Sequence, residues 1–221
     1  MAYFIALHGK KRCGKNTFLN ALKQYVEENL HGCEFVRASF AEALRLVLCE
    51  ICRVSRTFAF DDASKDKIVK HILWDDLSPF LKEKYKTDEG YRTGPMTWRE
   101  ILQLFGTDVI RDHWGTDAWA NIPFEKYRFN DFIVVIDDAR FENELRACKR
   151  EGGMNILITR PALDGQDEDG HASENQAIPA DLIDFRIDGV EGVEAFTKQA
   201  LDFIEKHKKG LFPDVYLNNE C

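Results

Sequence analysis

Gly9-Lys10-Lys11-Arg12-Cys13-Gly14-Lys15-Asn16-Thr17 has the glycine and lysine spacing of a loop that wraps a phosphate. Chemistry sets the spacing. Two glycines let a tight turn point its amide hydrogens inward at the positive end of a helix, and Lys15 then reaches the outer phosphates of a nucleotide. The usual pattern puts Ser or Thr directly after the lysine to hold magnesium. Here Asn16 takes that place and the hydroxyl of Thr17 follows one residue later.

A second group lies far along the chain. Asp137-Asp138-Ala139-Arg140 sets carboxylates suited to water-bound magnesium beside a guanidinium suited to a phosphate, and Arg160 closes another apolar run. Phosphoryl transfer needs this pairing of positioning with charge neutralisation. The plain alternatives are a chance glycine loop, an Asp138 and Arg140 ion pair that only caps the next helix, and surface roles for Arg160 and Arg111. Local context argues against the first, because a strand, the loop and a helix follow one another as the motif requires.

The elements that must position these groups are legible in the apolar pattern. Tyr3 to Leu7 reads as a buried strand, and Asn16 to Glu28 carries Phe18, Leu19, Leu22, Tyr25 and Val26 at helical spacing. Glu34 to Ala38 reads as a strand and Phe40 to Val54 as a helix. Ser55 to Pro95 is a polar and aromatic mixture expected to form a partly helical insertion. Thr97 and Glu100 make a capping-box signature for the helix that follows. Asp131 to Ile136 suits the centre of a parallel sheet. Then come a helix over Glu142 to Glu151, stopped by Gly152-Gly153, and a strand over Asn155 to Thr159. Pro161 to Pro179 reads as a loop or lid, Leu182 to Ile187 as a last strand and Val190 to Lys206 as a last helix. Leu211, Phe212, Val215 and Tyr216 are the residues able to dock the tail. In such an α/β sheet, ligands bind beyond the carboxyl ends of the strands, where Lys15, Asp138, Arg140 and Arg160 all fall.

The 221 residues suit one domain with insertions, and a formal net charge of -8 argues against a general nucleic-acid coat while leaving room for a locally basic pocket. No apolar run reaches the roughly 20 residues needed to span a bilayer. Lys10, Lys11 and Arg12 also follow the first apolar run, the wrong side for a signal peptide. The expected compartment is the cytoplasm, with reduced thiols. The six cysteines make no compact framework. Cys49 and Cys52 form a C-x-x-C in a helical stretch, where a buried face is favoured over zinc or redox work.

Five blocks together resemble the bacteriophage deoxynucleoside monophosphate kinases, a branch of the adenylate-kinase-like nucleotide kinases. They are Gly9 to Thr17; Ser39-Phe40-Ala41-Glu42-Ala43-Leu44-Arg45; Leu102-Gln103-Leu104-Phe105-Gly106-Thr107-Asp108 onward to Trp119; Asp138-Ala139-Arg140-Phe141-Glu142-Asn143-Glu144; and Arg160-Pro161 followed by His171-Ala172-Ser173-Glu174. The resemblance implies a P-loop kinase fold, three α/β/α layers around a five-stranded parallel sheet. It implies a single domain with its core at about 1–38, 97–160 and 181–208, an acceptor-nucleotide insertion at about 39–96, a lid at about 161–180 and a tail at 209–221.

It implies roles as well. Gly9, Lys11, Arg12, Cys13, Gly14, Lys15, Asn16 and Thr17 would hold the phosphates of ATP, with Thr17 and Asp138 organising Mg2+ directly or through water. Arg140 would grip the acceptor phosphate and steady the transferred group, while Glu144 fixes that arginine or the sugar end of the acceptor. Arg99, Gln103, Gly106, Thr107 and Trp119 would form the acceptor pocket, and Arg160, His171 and Glu174 the working part of the lid. The implied partners are ATP and a deoxynucleoside monophosphate, with a homodimer suggested and neither a nucleic-acid polymer nor a membrane. Related enzymes often carry Asp after the loop lysine and Ser before the second glycine, where this chain has Asn16 and Cys13.

Two rival functions stand beside this one. A small-metabolite kinase of the phosphomevalonate type would share the loop, but it needs no base pocket of the Gln103 to Trp119 kind. A non-catalytic nucleotide switch is the other, and no Asn-Lys-x-Asp guanine signature occurs in the chain.

Overall fold

The computed structural model describes residues 1–161 and 178–217. The chain divides into two compact units, one of Met1–Phe40 with Ala120–Cys221 and one of Ala41–Trp119.

The first unit is built on five parallel strands: β1 (Tyr3–His8), β2 (Glu34–Ala38), β5 (Phe132–Ala139), β6 (Met154–Thr159) and β7 (Phe185–Asp188), in the order β2-β5-β1-β6-β7. Side chains alternate across the sheet and so divide the core in two. Ile5, Leu7, Ile133, Val135, Ile156 and Ile158 pack against helix α1 (Lys15–Asn29) and helix α8 (Val193–Leu211). On the other face Phe4, Ala6, Val134 and Ile136 pack against helix α6 (Ile122–Tyr127) and helix α7 (Glu142–Arg150). Three α/β/α layers result. The expected five-stranded parallel sheet is present, and its central strand leads into the glycine loop.

Several boundaries differ from the sequence expectation, each for a local reason. Strand β5 runs three residues beyond Ile136, so Asp137 and Asp138 belong to the strand itself. Helix α8 begins at Val193 because Gly192, at φ +91°, takes the N-cap position. It continues to Leu211, whose side chain is fully buried. Before β7, residues Ala180–Leu182 form a short 3-10 turn, and Leu182 enters the core from it. Helix α6 had no sequence expectation. Helix α9 (Asp214–Leu217) docks the tail through Tyr216, together with Leu211 and Phe212, but Val215 is exposed.

The second unit contains helices α2 (Ala41–Cys52), α3 (Arg56–Phe60), α4 (Pro79–Lys84) and α5 (Trp98–Gln103) and a two-stranded antiparallel hairpin, β3 (Ile68–Leu73) with β4 (Pro95–Thr97). The insertion expected from Ser55 to Pro95 is partly helical, through α3 and α4, and it also holds this hairpin, which the sequence did not announce. Only Val69 of β3 is buried, and Lys70 and His71 interrupt any alternation. Trp98, fully buried, donates from its indole to the Ala59 carbonyl and centres this unit's core. The expected capping box forms, with Glu100 N donating to Thr97 Oγ1 and Thr97 N donating to Glu100 Oε2. Residues 97–119, placed with the core by the sequence reading, pack in this unit instead. Cys49 and Cys52 are buried on α2, and among the described residues no group of three His, Cys, Asp or Glu side chains is placed to hold a metal.

Candidate active site

The loop between β1 and α1 is shaped by positions that exclude a side chain. Gly9 has φ +153°, and a Cβ there would lie 2.2 Å from the Ile158 carbonyl oxygen. Gly14 has φ +105°, and its Cβ would lie 2.5 Å from the Phe196 ring. Arg12 also adopts a left-handed backbone, at φ +65°. The Cys13 amide donates to the Lys10 carbonyl at 3.4 Å. Helix α1 then starts with no side-chain cap and no acidic residue in its first turn. This is a helix end suited to an anion, since its first amides and its dipole favour negative charge.

Lys15 lies half-buried at that start, its ammonium donating to Gly9 O at 2.5 Å and to Lys10 O at 2.8 Å. Cys13 is buried beneath it, and burial pushes its thiol pKa up, with the Lys15 charge opposing. Asn16 is exposed and Thr17 half-buried, one residue further into the helix. Lys11 and Arg12 are exposed on the loop.

At the end of β5, the Asp138 carboxylate accepts from Ser39 Oγ at 2.5 Å and from the Phe40 amide at 2.8 Å. Its neighbour Asp137 accepts from Arg37 Nε at 2.7 Å. Burial raises the Asp137 pKa, the Asp138 charge adds to that, and Arg37 opposes both. Arg140 is exposed. Glu144 is buried and accepts from the amides of Arg140 at 2.8 Å and Phe141 at 3.1 Å, which fixes the arginine's backbone at the start of α7. Arg160 follows β6, and its Nε is buried with no hydrogen-bond partner among the described residues. His171 and Glu174 lie outside the described residues.

His8 joins the two strand ends and was missed by sequence reasoning. Its Nδ1 lies 3.0 Å from the Ala139 carbonyl, where the β1 and β5 register shifts. Burial holds its pKa below the ordinary value, the bond to Ala139 opposes this, and the charges of Lys15 and Arg140 lower it further. That both charges act on one imidazole places the glycine loop and Arg140 in a common field.

In the second unit, Arg99 pairs with Asp66, Nε to Oδ1 at 2.8 Å. Half-buried Gln103 ends α5, and a π-helical segment, Leu104–Arg111, continues from it through Gly106 and Thr107. A Cβ on Gly106 would lie 2.7 Å from a Leu44 methyl. Trp119 is buried, and its indole donates to the Gly106 carbonyl at 3.0 Å, so it packs and braces that segment. Arg45, inside the quoted Ser39 to Arg45 block but given no role from sequence, carries a buried Nε with no hydrogen-bond partner among the described residues. A cation amid the apolar face of a helix was the signal available for it.

Residues 36–197 match the family model described as deoxynucleotide monophosphate kinase. The chain belongs to that family. A relative from Acanthamoeba polyphaga mimivirus, named "Putative deoxynucleotide monophosphate kinase", is 29% identical over 159 residues, covering 66% of this chain and 81% of its own. Among solved structures, an unliganded sugar kinase from Janibacter sp. HTCC2649 aligns at 12% identity and a TM-score of 0.43, covering 98% of this chain and 99% of its own. A cobyrinic acid a,c-diamide synthase from Mycobacterium smegmatis with bound ADP and magnesium gives 14% identity and a TM-score of 0.36, covering 95% and 83%. Likenesses this loose carry no argument, and the fold rests on its own strand order. The deoxynucleotide monophosphate kinase match begins at Val36, beyond the glycine loop, so the reading of that loop rests on its geometry. Among the described residues, no helix is long and apolar enough to cross a membrane.

Proposed function

We propose that this member of the deoxynucleotide monophosphate kinase family transfers the γ-phosphoryl group of ATP to a deoxynucleoside monophosphate, giving the diphosphate for DNA precursor synthesis. The observation that carries the reading is the loop at the end of β1, where Gly9 and Gly14 leave room for no side chain and Lys15 stands at an uncapped helix start. In this reading the loop amides and Lys15 bind the donor's outer phosphates. Arg140 binds the acceptor phosphate and steadies the charge of the group in flight, held in place by Glu144. Arg99, Gln103, Gly106 and Thr107 bind the acceptor, with Trp119 as their brace. Arg45 joins the acceptor set, because a buried guanidine nitrogen with no hydrogen-bond partner among the described residues suits an anionic ligand. Of the lid expected at 161–180, His171 and Glu174 lie outside the described residues, and Arg160 stands where the chain leaves β6.

The donor set suits magnesium, a hard cation that keeps several waters and takes oxygen from one or two carboxylates and from substrate phosphates. Thr17 and Asp138 would hold it, Asp138 through water because Ser39 and Phe40 already engage its carboxylate. The ion would neutralise charge on the bridging phosphate oxygens. The acceptor phosphate oxygen is ionised near neutral pH, so the chain needs no strong general base. Exclusion of water limits hydrolysis of ATP. Family membership favours a nucleotide over an aliphatic acceptor.

Arg140→Ala should lower acceptor-dependent ADP release by about 10²-fold or more, while ATP affinity, read by titration, stays near that of the parent. Full turnover in that variant would remove Arg140 from the acceptor site.

A further inference from the structure

Ala139 and Arg140 share one peptide unit, and side chains hold both of its polar ends. The Ala139 carbonyl oxygen lies 3.0 Å from His8 Nδ1, and the Arg140 amide donates to Glu144 Oε2 at 2.8 Å. A carbonyl only accepts, so Nδ1 is the nitrogen that carries the proton. The peptide is trans and planar. With its oxygen and its hydrogen both held, the orientation of the plane is set, and with it the direction in which the chain enters Arg140.

The two anchors come from different places. Glu144 is four residues on, in the first turn of α7, and ties Arg140 only to the helix that follows it. His8 is the last residue of β1 and directly precedes Gly9, whose carbonyl accepts from Lys15 Nζ at 2.5 Å. The imidazole therefore completes a path from Arg140 to Lys15 made of two hydrogen bonds and the backbone of two consecutive residues, His8 and Gly9.

The strand ladder does not make this link as securely. Partners on β1 and β5 advance one for one as far as Ala6 and Ile136, but His8 then faces Ala139, so β5 holds one residue more than β1 over that stretch. A bulge of this kind interrupts the ladder and re-aims side chains. It falls at Asp137 and Asp138, immediately before Arg140, and the bond from His8 fastens the two strands again beyond it. Burial lowers the pKa of the ring, against the bond to Ala139, and the charges of Lys15 and Arg140 lower it further. The imidazole is thus neutral above about pH 7.

We propose that His8 is a positioning residue for phosphoryl transfer, holding the acceptor arginine in register with the donor lysine through the Ala139 carbonyl. The inference rests on the kinase reading for the roles of Lys15 and Arg140. Transfer between two bound groups is sensitive to placement, and a shift of about 1 Å can cost about 10²-fold. His8 is not among the residues that bind either reactant, so its loss falls on kcat and not on ATP affinity.

Asparagine and glutamine separate this role from the filling of space. The Asn amide nitrogen can stand where Nδ1 stands, whereas the longer Gln carries its amide to the Nε2 position. His8→Asn should keep kcat within about threefold of the parent, while His8→Gln and His8→Ala should lose about tenfold or more, with ATP affinity by titration near the parent's in each. Where circular dichroism shows His8→Ala unfolded, the Asn and Gln pair decides. Equal kcat in His8→Asn and His8→Gln, or a loss confined to ATP affinity, would overturn the proposal. Nitrogen-15 NMR of the imidazoles at about pH 8 adds a readout that needs no turnover. The resonance that vanishes in His8→Asn should belong to an Nδ1–H tautomer, and an Nε2–H tautomer would overturn the proposal in an active or an inactive chain. Absence of turnover in the parent, with the Nδ1–H tautomer seen, would sink the kinase reading and this role with it, but not the bond.

Discussion

His8 carries a pH dependence that the sequence does not announce. Its pKa is lower in the folded chain than the ordinary 6.5. As pH falls through that value the unfolded chain takes up the proton first, so stability declines below it and is unaffected above it. His8→Asn keeps a nitrogen near the Ala139 carbonyl but removes the titration. The variant should show a shallower loss of stability between pH 7 and pH 5 in denaturant titrations, and an unchanged slope would deny His8 this role. The loop residues and Arg140 were legible because each falls where the chain leaves an apolar strand, and their chemistry depends on that place. His8, Arg45 and the hydrogen bonds of Glu144 were not legible in the same way. For His8 the reason is a neighbour far away in sequence, Ala139, 131 residues on, whereas the Glu144 bonds are local and depend on the backbone turn that leads into α7.

At the scale of elements, the glycine loop depends on a helix almost two hundred residues away. Phe196 of α8 fills the space where a Gly14 side chain would sit, and the left-handed backbone adds strain to any replacement. Gly14→Ala should therefore destabilise the chain by about 1–3 kcal/mol and lower the thermal midpoint by several degrees. A midpoint equal to the parent's would show that the loop yields at no cost. The strands and long helices of the first unit could be read from their apolar periods because they are buried on one or both faces. The β3 and β4 hairpin could not. β4 is only three residues long and opens on Pro95, β3 buries Val69 alone, and packing supplied by Trp98 and Met96 holds the pair rather than its own alternation. The π-helical segment is likewise invisible in sequence, since its pattern still has helical spacing.

At the scale of the whole molecule, the order of five sequence blocks pointed to a family that the match over residues 36–197 establishes. What the chain phosphorylates is the claim that everything else serves. The most direct measurement is a coupled turnover screen with ATP, magnesium and each deoxynucleoside and ribonucleoside monophosphate in turn. ADP release that requires at least one deoxynucleoside monophosphate, with the matching diphosphate as product, is the predicted result. Release independent of every acceptor, or none with any of them, would contradict the account.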